Sequence, residues 1–246
     1  LYQQCRRVSP TGLVAVSFLS GIRIELFVLS NVWLSALVTI FWIVLMTNAM
    51  NFLDNMDGLC GGVSVIAAFS FFLAVQPYED HIVRFLLMAF AGAVAGFLYH
   101  NLSPAQIFMG DAGAMFSGYF LATLAVLGTF HVESTPSRIA VAAPLLALSV
   151  PLFDIFSVVY IRWKSGQSIM KGDKRHFSHR LVELGMSQRQ AVEFIYLVAA
   201  VVGLGGALLP VLDRGGTIII LAQTAGVYLL IVLLMNAGKK WGGPPS

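Results

Sequence analysis

Charge is what this chain has least of. Asp, Glu, Lys and Arg make up only 11% of its 246 residues, against 58% hydrophobic residues, where a soluble protein carries about 25% charged residues. With a mean hydropathy of +0.82, a water-soluble globular domain is excluded and an all-α polytopic membrane protein is expected. The formal charge of +3 and the pI near 9.0 do not point to nucleic acid as a partner, because the basic residues cluster between apolar runs, where membrane topology places them.

Cysteine is equally scarce. Cys5 and Cys60 have neither metal-type spacing nor a small secreted scaffold around them, so they read as ordinary thiols. Internal repeats, low-complexity tracts and a soluble domain are all missing. The opening LYQQCRRVSP has no short apolar core between its basic pair and a small-residue cleavage site, so it does not read as a signal peptide. A start at Leu1 rather than Met is expected to be a cut through a longer protein.

What is present is a series of uncharged stretches of about 20 residues, the length that crosses a bilayer as a helix. Eight spans are expected, near 8–24, 31–50, 58–76, 82–100, 112–131, 138–160, 190–211 and 215–237, in a single transmembrane domain covering 1–246. Polar motif loops lie near 51–58, 101–113 and 161–189, the last punctuated by Gly166, Gly172 and Gly185. With a cytoplasmic N-terminus, one side holds Arg6, Arg7, the seven basic residues from Arg162 to Arg189, Lys239 and Lys240, eleven in all, against Arg23, Arg84, Arg138 and Arg214 on the other. That asymmetry is the positive-inside pattern, and it places all three motif loops on the cytoplasmic face.

The first motif is NAMNFLDNMDG, residues 48–58. On a helix, Asn51, Asp54 and Asp57 would share one stripe, with oxygens able to converge on a hard cation such as Mg²⁺. Carboxylates near lipid are costly unless employed, and two that are adjacent repel unless a cation lies between them. The alternative is a solvated helix end capped by Asn and Asp. In IFMGDAG, residues 107–113, a lone Asp111 reads first as a helix N-cap. Gly110 and Gly113 would also let backbone amides approach a phosphate, which makes Asp111 a candidate third metal ligand or base.

The third motif, KGDKRHFSHR, carries Arg175, His176, His179 and Arg180. Its simplest reading is a positive-inside loop; its functional reading is a grip on a diphosphate. A zinc site is disfavoured, since no third Cys or His lies nearby. Ser187 and Gln190 form a capping box that starts the following span. Asp154, inside the apolar VPLFDIF three residues after Pro151, is a functional candidate as an ionisable group within a span, with a hydrogen-bonded structural role beside Pro151 at least as well supported, and is left out of the catalytic set. His100 and His131 read as interfacial.

An acidic stripe, a Gly-flanked Asp and a His/Arg loop on one membrane face point to phosphoryl transfer between a soluble nucleotide compound and a lipid. NAMNFLDNMDGL, IFMGDAGAMFSG, PLFDIFSVVYIRWKSGQS and DKRHFSHRLVELGMSQRQAV resemble, in order and spacing, the polyprenyl-phosphate N-acetylhexosamine-1-phosphate transferases. The resemblance runs from about residue 30 to 195. It implies a Mg²⁺-dependent enzyme, with Mn²⁺ as the alternative ion, that moves a sugar-1-phosphate from a UDP-sugar to undecaprenyl phosphate or a similar lipid and releases UMP. By the same resemblance Asp54, Asp57 and Asp111 fall near the metal and the reacting phosphates, Asn51 is the supporting amide, and His176 and His179 form the histidine loop; Gly110, Arg175 and Arg180 are expected to touch substrate. The place implied is the bacterial cytoplasmic membrane, active face inward, as a monomer or a homodimer.

Within the family, DKRHFSHRL looks like the branch that uses UDP-N-acetylglucosamine to initiate enterobacterial antigen, teichoic acid or O-antigen; the PxHHH-like run of the muramyl-pentapeptide branch is absent. Two departures stand out. The family pattern commonly reads DGxDG, whereas here Asn55 replaces the first glycine. Relatives also carry an Asp-Asp pair in an earlier cytoplasmic loop, while the one adjacent acidic pair here is Glu79-Asp80, expected on the opposite face, so about three upstream spans are expected to be missing. The rival readings are a non-catalytic UDP-sugar-binding relative and a transporter or flippase, which would set its charges near the bilayer midplane on pseudo-repeated helices.

Overall fold

The computed structural model describes residues 32–78, 80–130, 142–166 and 176–241. Among these, the elements are α1 (Val32–Leu53), α2 (Leu59–Val75), α3 (His81–Asn101), α4 (Gly110–Phe130), α5 (Ala142–Ala147), α6 (Ser149–Lys164), α7 (Phe177–Glu183), α8 (Gln188–Leu208) and α9 (Arg214–Trp241), with 3₁₀ turns at Gln76–Tyr78 and Leu209–Val211 and no strand. The protein is an all-α membrane protein. Among the described residues, five helices are long and apolar enough to cross a membrane: Trp33–Leu53, His81–Asn101, Gly110–Gly128, Gln188–Val211 and Arg214–Ala237.

The count of eight is not reproduced among the described residues. The expected first span, 8–24, lies outside them. The second apolar helix, Leu59–Val75, is 17 residues long, about 26 Å at the α-helical rise. The described part of the expected span 138–160 is broken into α5 and α6 at Leu148, whose φ of −102° and ψ of 19° leave the helical region. Pro151 explains the break: it has no N–H for the carbonyl of Ala147, and its ring crowds that carbonyl. Pro144 and Pro151 thereby come to lie in the first turns of two short helices, where a missing N–H costs nothing.

The core surrounds α2, which packs against α3 and α8, while α1 lies along α4 and α5 along α8. Lipid tails are as apolar as leucine, so helices in a membrane are held by close packing and interhelical hydrogen bonds rather than by the hydrophobic effect. Gly118 shows the first: a Cβ there would stand 2.6 Å from the carbonyl oxygen of Met46, so α1 and α4 touch backbone to backbone. Trp42 shows the second, its indole N–H donating to the carbonyl of Ala122 at 3.2 Å. Outward-facing Leu and Ile cover α9, with Ile218 and Ile219 each 66% exposed, as a lipid-facing helix requires. The C-terminal ends of α1 and α3 and the N-terminal ends of α2 and α4 meet at one end of this bundle, together with α7.

Candidate active site

The first motif is not a helical stripe. α1 ends at Leu53, and residues 54–58 form a turn into α2, so Asn51 lies in the last helical turn while Asp54 and Asp57 leave it in different directions. Gly58 closes that turn at a φ of +77°, a left-handed conformation that side chains disfavour. Two distant residues hold it there. Asn101, buried at the end of α3, accepts the Gly58 N–H at 3.1 Å and donates to the carbonyl of Ile107 at 2.8 Å. Tyr196 of α8 donates to the Gly58 carbonyl at 2.5 Å, its ring filling the space where a Cβ on Gly62 would be.

This geometry separates the two carboxylates. Asp57 Oδ2 accepts the backbone N–H of Ala105 at 3.1 Å and so braces the loop that runs through the cis Ser103-Pro104 bond. Asp54 instead meets the start of α4. Asp111, in the first turn of that helix, is favoured there by the helix dipole, and its Oδ1 accepts from the Asn51 amide at 3.1 Å. Burial pushes the Asp54 carboxyl above its ordinary value; a hydrogen bond from the Gly110 backbone lowers it and the nearby Asp111 charge raises it further. Gly110 takes a φ of +64°, with open space where a Cβ would stand. Gly113 differs from expectation: Met109 packs where its Cβ would be, at 2.6 Å.

Among the described residues, no three His, Cys, Asp or Glu side chains group closely enough to hold a metal ion. Of the three expected carboxylates, Asp54 lies near Asp111 with the Asn51 amide beside it, while Asp57 is turned to the 102–109 loop.

The histidine loop closes the site from α6 and α7. His176 stands at the N-cap of α7; its Nδ1 lies 2.8 Å from Oδ2 of Asp154, and its ring packs on Phe52 with centroids 5.7 Å apart. Asp154 Oδ1 accepts the Phe177 N–H at 2.5 Å. Ser178 donates to Oδ1 of Asn55 at 2.6 Å, tying α7 to the acidic turn. His179 follows in the same short helix. Arg180 turns toward α6, donating to Ser157 at 2.5 Å with its Nε buried and unpartnered; burial pulls its guanidinium below its ordinary value, opposed by Asp154. The capping box holds, with Ser187 accepting the Gln190 N–H at 3.2 Å and the Gln190 side chain accepting the Ser187 N–H at 2.8 Å. Arg175 and His131 lie outside the described residues. His100 is exposed in the last turn of α3 and its ring meets Tyr99 edge-on at 5.0 Å.

Asn51, Asp54, Gly110, Asp111 and His176 thus come together at the end of a membrane bundle, in the motif order read from the sequence. The profile described as glycosyl transferase family 4 matches residues 7–129. The chain belongs to this family.

Relatives include a Mycolicibacterium smegmatis decaprenyl-phosphate N-acetylglucosaminephosphotransferase, 33% identical over an alignment of 216 positions that covers 81% of this chain and 53% of the relative. A Bacillus subtilis protein named "Probable undecaprenyl-phosphate N-acetylglucosaminyl 1-phosphate transferase" is 33% identical over 72% of this chain and 49% of its own length. A Lactobacillus gasseri phospho-N-acetylmuramoyl-pentapeptide-transferase is 32% identical over 78% of this chain and 58% of its own length. The chain spans about half the length of these relatives.

Sequence reasoning passed over Asn101, Tyr196 and the Asn55–Ser178 bond, and it set Asp154 aside. For Asp154 a signal existed: an ionisable residue within an apolar run is a functional candidate by default. For Tyr196, the lone tyrosine of an apolar helix, there was none.

Proposed function

We propose that this protein transfers N-acetylglucosamine-1-phosphate from its UDP-sugar to undecaprenyl phosphate, releasing UMP and initiating a cell-envelope polysaccharide. The observation that carries the reading is the meeting of Asp54, Asp111 and Asn51 with His176 at one end of a membrane bundle, where a soluble nucleotide and a lipid phosphate can both arrive. The relatives' names supply the substrate class. Richness in Lys and Arg of the same side supports a cytoplasmic active face in a bacterial inner membrane.

The donor set suits Mg²⁺, a hard ion that takes one or two carboxylates and leaves its remaining positions to water and substrate phosphates. Asp54 and Asp111 are the residues that would hold it, and Mn²⁺ would fit the same oxygens. When bound, the ion neutralises charge on the diphosphate. Asn51 fixes the rotamer of Asp111, and the open Gly110 gives a phosphate access to the start of α4. In the transfer, an oxygen of the lipid phosphate bonds to the β-phosphorus of the UDP-sugar. The bond from that phosphorus to the bridging oxygen breaks, and UMP leaves with the oxygen and its electron pair. His176 stands where it can stabilise charge on the transferring group.

The test is Mg²⁺-dependent UMP release from UDP-N-acetylglucosamine and undecaprenyl phosphate by membranes carrying the protein. Release that requires both substrates and stops with EDTA is the expected result. No release with any UDP-sugar, from protein that is folded and still binds UDP-sugar, would favour a non-catalytic binding relative.

A further inference from the structure

We propose that Asp154 is the positioning residue of His176: it fixes the imidazole with its Nδ1 proton toward α6 and leaves Nε2 as the nitrogen that meets the substrate phosphates. This rests on the transfer reaction proposed above. Asp154 is 1% exposed, in the middle of an apolar helix, a setting in which a carboxylate is expensive unless employed. Both of its oxygens are engaged, Oδ1 by the Phe177 N–H at 2.5 Å and Oδ2 by His176 Nδ1 at 2.8 Å.

In this arrangement the carboxylate accepts at both oxygens, from the Phe177 N–H and from His176, so Nδ1 is the donor and carries the proton. Nε2 is then the ring nitrogen left for other work, as a lone pair or, when the ring is charged, as a second N–H. Phe52 packs against the imidazole, and it sits between Asn51 and Asp54 in the chain, so the ring is held from two sides at the edge of the acidic cluster. One carboxylate thus sets both the backbone entry into α7 and the direction of its first side chain. A buried hydrogen-bonded acid behind an imidazole is also the arrangement by which hydrolytic triads choose a tautomer.

Asp154→Asn separates this role from a plain structural staple. The amide keeps an oxygen for the Phe177 N–H and nearly the same shape, but it turns an N–H₂ toward Nδ1, which must then accept, and the proton moves to Nε2. Nitrogen-15 NMR of histidine-labelled protein reads that exchange directly, in a chain with only 5 histidines. The expected results are an Nδ1 proton in the wild type, an Nε2 proton in D154N, a fall in kcat of about 100-fold or more, and a KM for UDP-N-acetylglucosamine within about threefold of wild type. Full kcat in D154N overturns the proposal. So does a lost kcat with an unchanged tautomer, or with a melting temperature that collapses, since either shows a structural role. A wild type that turns over no UDP-sugar removes the transferase reading and the catalytic half of this one, while the NMR still decides whether Asp154 sets the tautomer; the two failures are distinguishable.

Discussion

Asn55 and Ser178, 123 residues apart, are joined by a 2.6 Å hydrogen bond in which the hydroxyl donates to the amide oxygen. Asn55, at the position where the family resemblance leads one to expect glycine, also donates its amide to the Phe52 carbonyl at 2.7 Å. The substitution therefore converts a bare turn into a strut between the acidic turn and α7. Asn55→Gly is expected to lower stability by about 1 kcal/mol through the lost bonds and the added backbone freedom. Ser178→Ala in that background should then cost little more, which thermal unfolding of the single and double variants in detergent will check.

Asp54 predicts a pH dependence of opposite sign to that of a salt-bridged acid. The folded-state pKa of Asp54 is raised above its ordinary 3.8, so the native state holds its proton more tightly than the unfolded chain. Stability attributable to this group is present at low pH and falls as pH rises through the raised value. Asp54→Asn should accordingly melt higher than wild type at pH 7, with the gap closing as the pH approaches 4. Added Mg²⁺ should also narrow the gap by stabilising only the wild type; a gap indifferent to Mg²⁺ would count against the two carboxylates as its ligands.

Asp111→Asn tells an enzyme from a binder. The amide can still meet Asn51, so the fold and the affinity for UDP-N-acetylglucosamine should hold, while UMP release should fall at least about 100-fold. Equilibrium binding measured beside turnover on the same membranes gives both numbers.

Asp57 carries a different expectation. Its Oδ2 holds the Ala105 N–H, so Asp57→Ala should destabilise the 102–109 loop, at a cost of about 1–3 kcal/mol for the orphaned donor. Faster proteolysis or hydrogen exchange in that loop is the measurement.

Gly118→Val should be the most damaging change away from the site. The new Cβ would fall 2.6 Å from the Met46 carbonyl oxygen and 2.8 Å from Thr47 Cα, and backbone atoms cannot rotate aside. Separation of α1 and α4 is expected to cost about 1–3 kcal/mol, read as a lowered melting temperature.

Much of this protein could be read from its residues one stretch at a time. Apolar runs with few charges oblige a chain to satisfy its backbone within helices, and the helices near 31–50, 82–100, 112–131, 190–211 and 215–237 follow. Alternation of direction from span to span, together with the skewed Lys and Arg, already put the acidic, glycine-flanked and histidine motifs on one face. Partnership was another matter. Asn51, Asp54 and Asp57 fit a helical stripe as a string of letters, and the single fact that α1 stops at Leu53 sent Asp54 to Asp111 and Asp57 to Ala105. Asp154 likewise gained its meaning only when α6 and α7 were folded together, setting it 2.8 Å from His176. Helix and topology follow from local composition because the bilayer acts on each segment separately. A hydrogen bond between side chains 22 or 123 residues apart depends on where whole helices cross and end, and that is decided by packing.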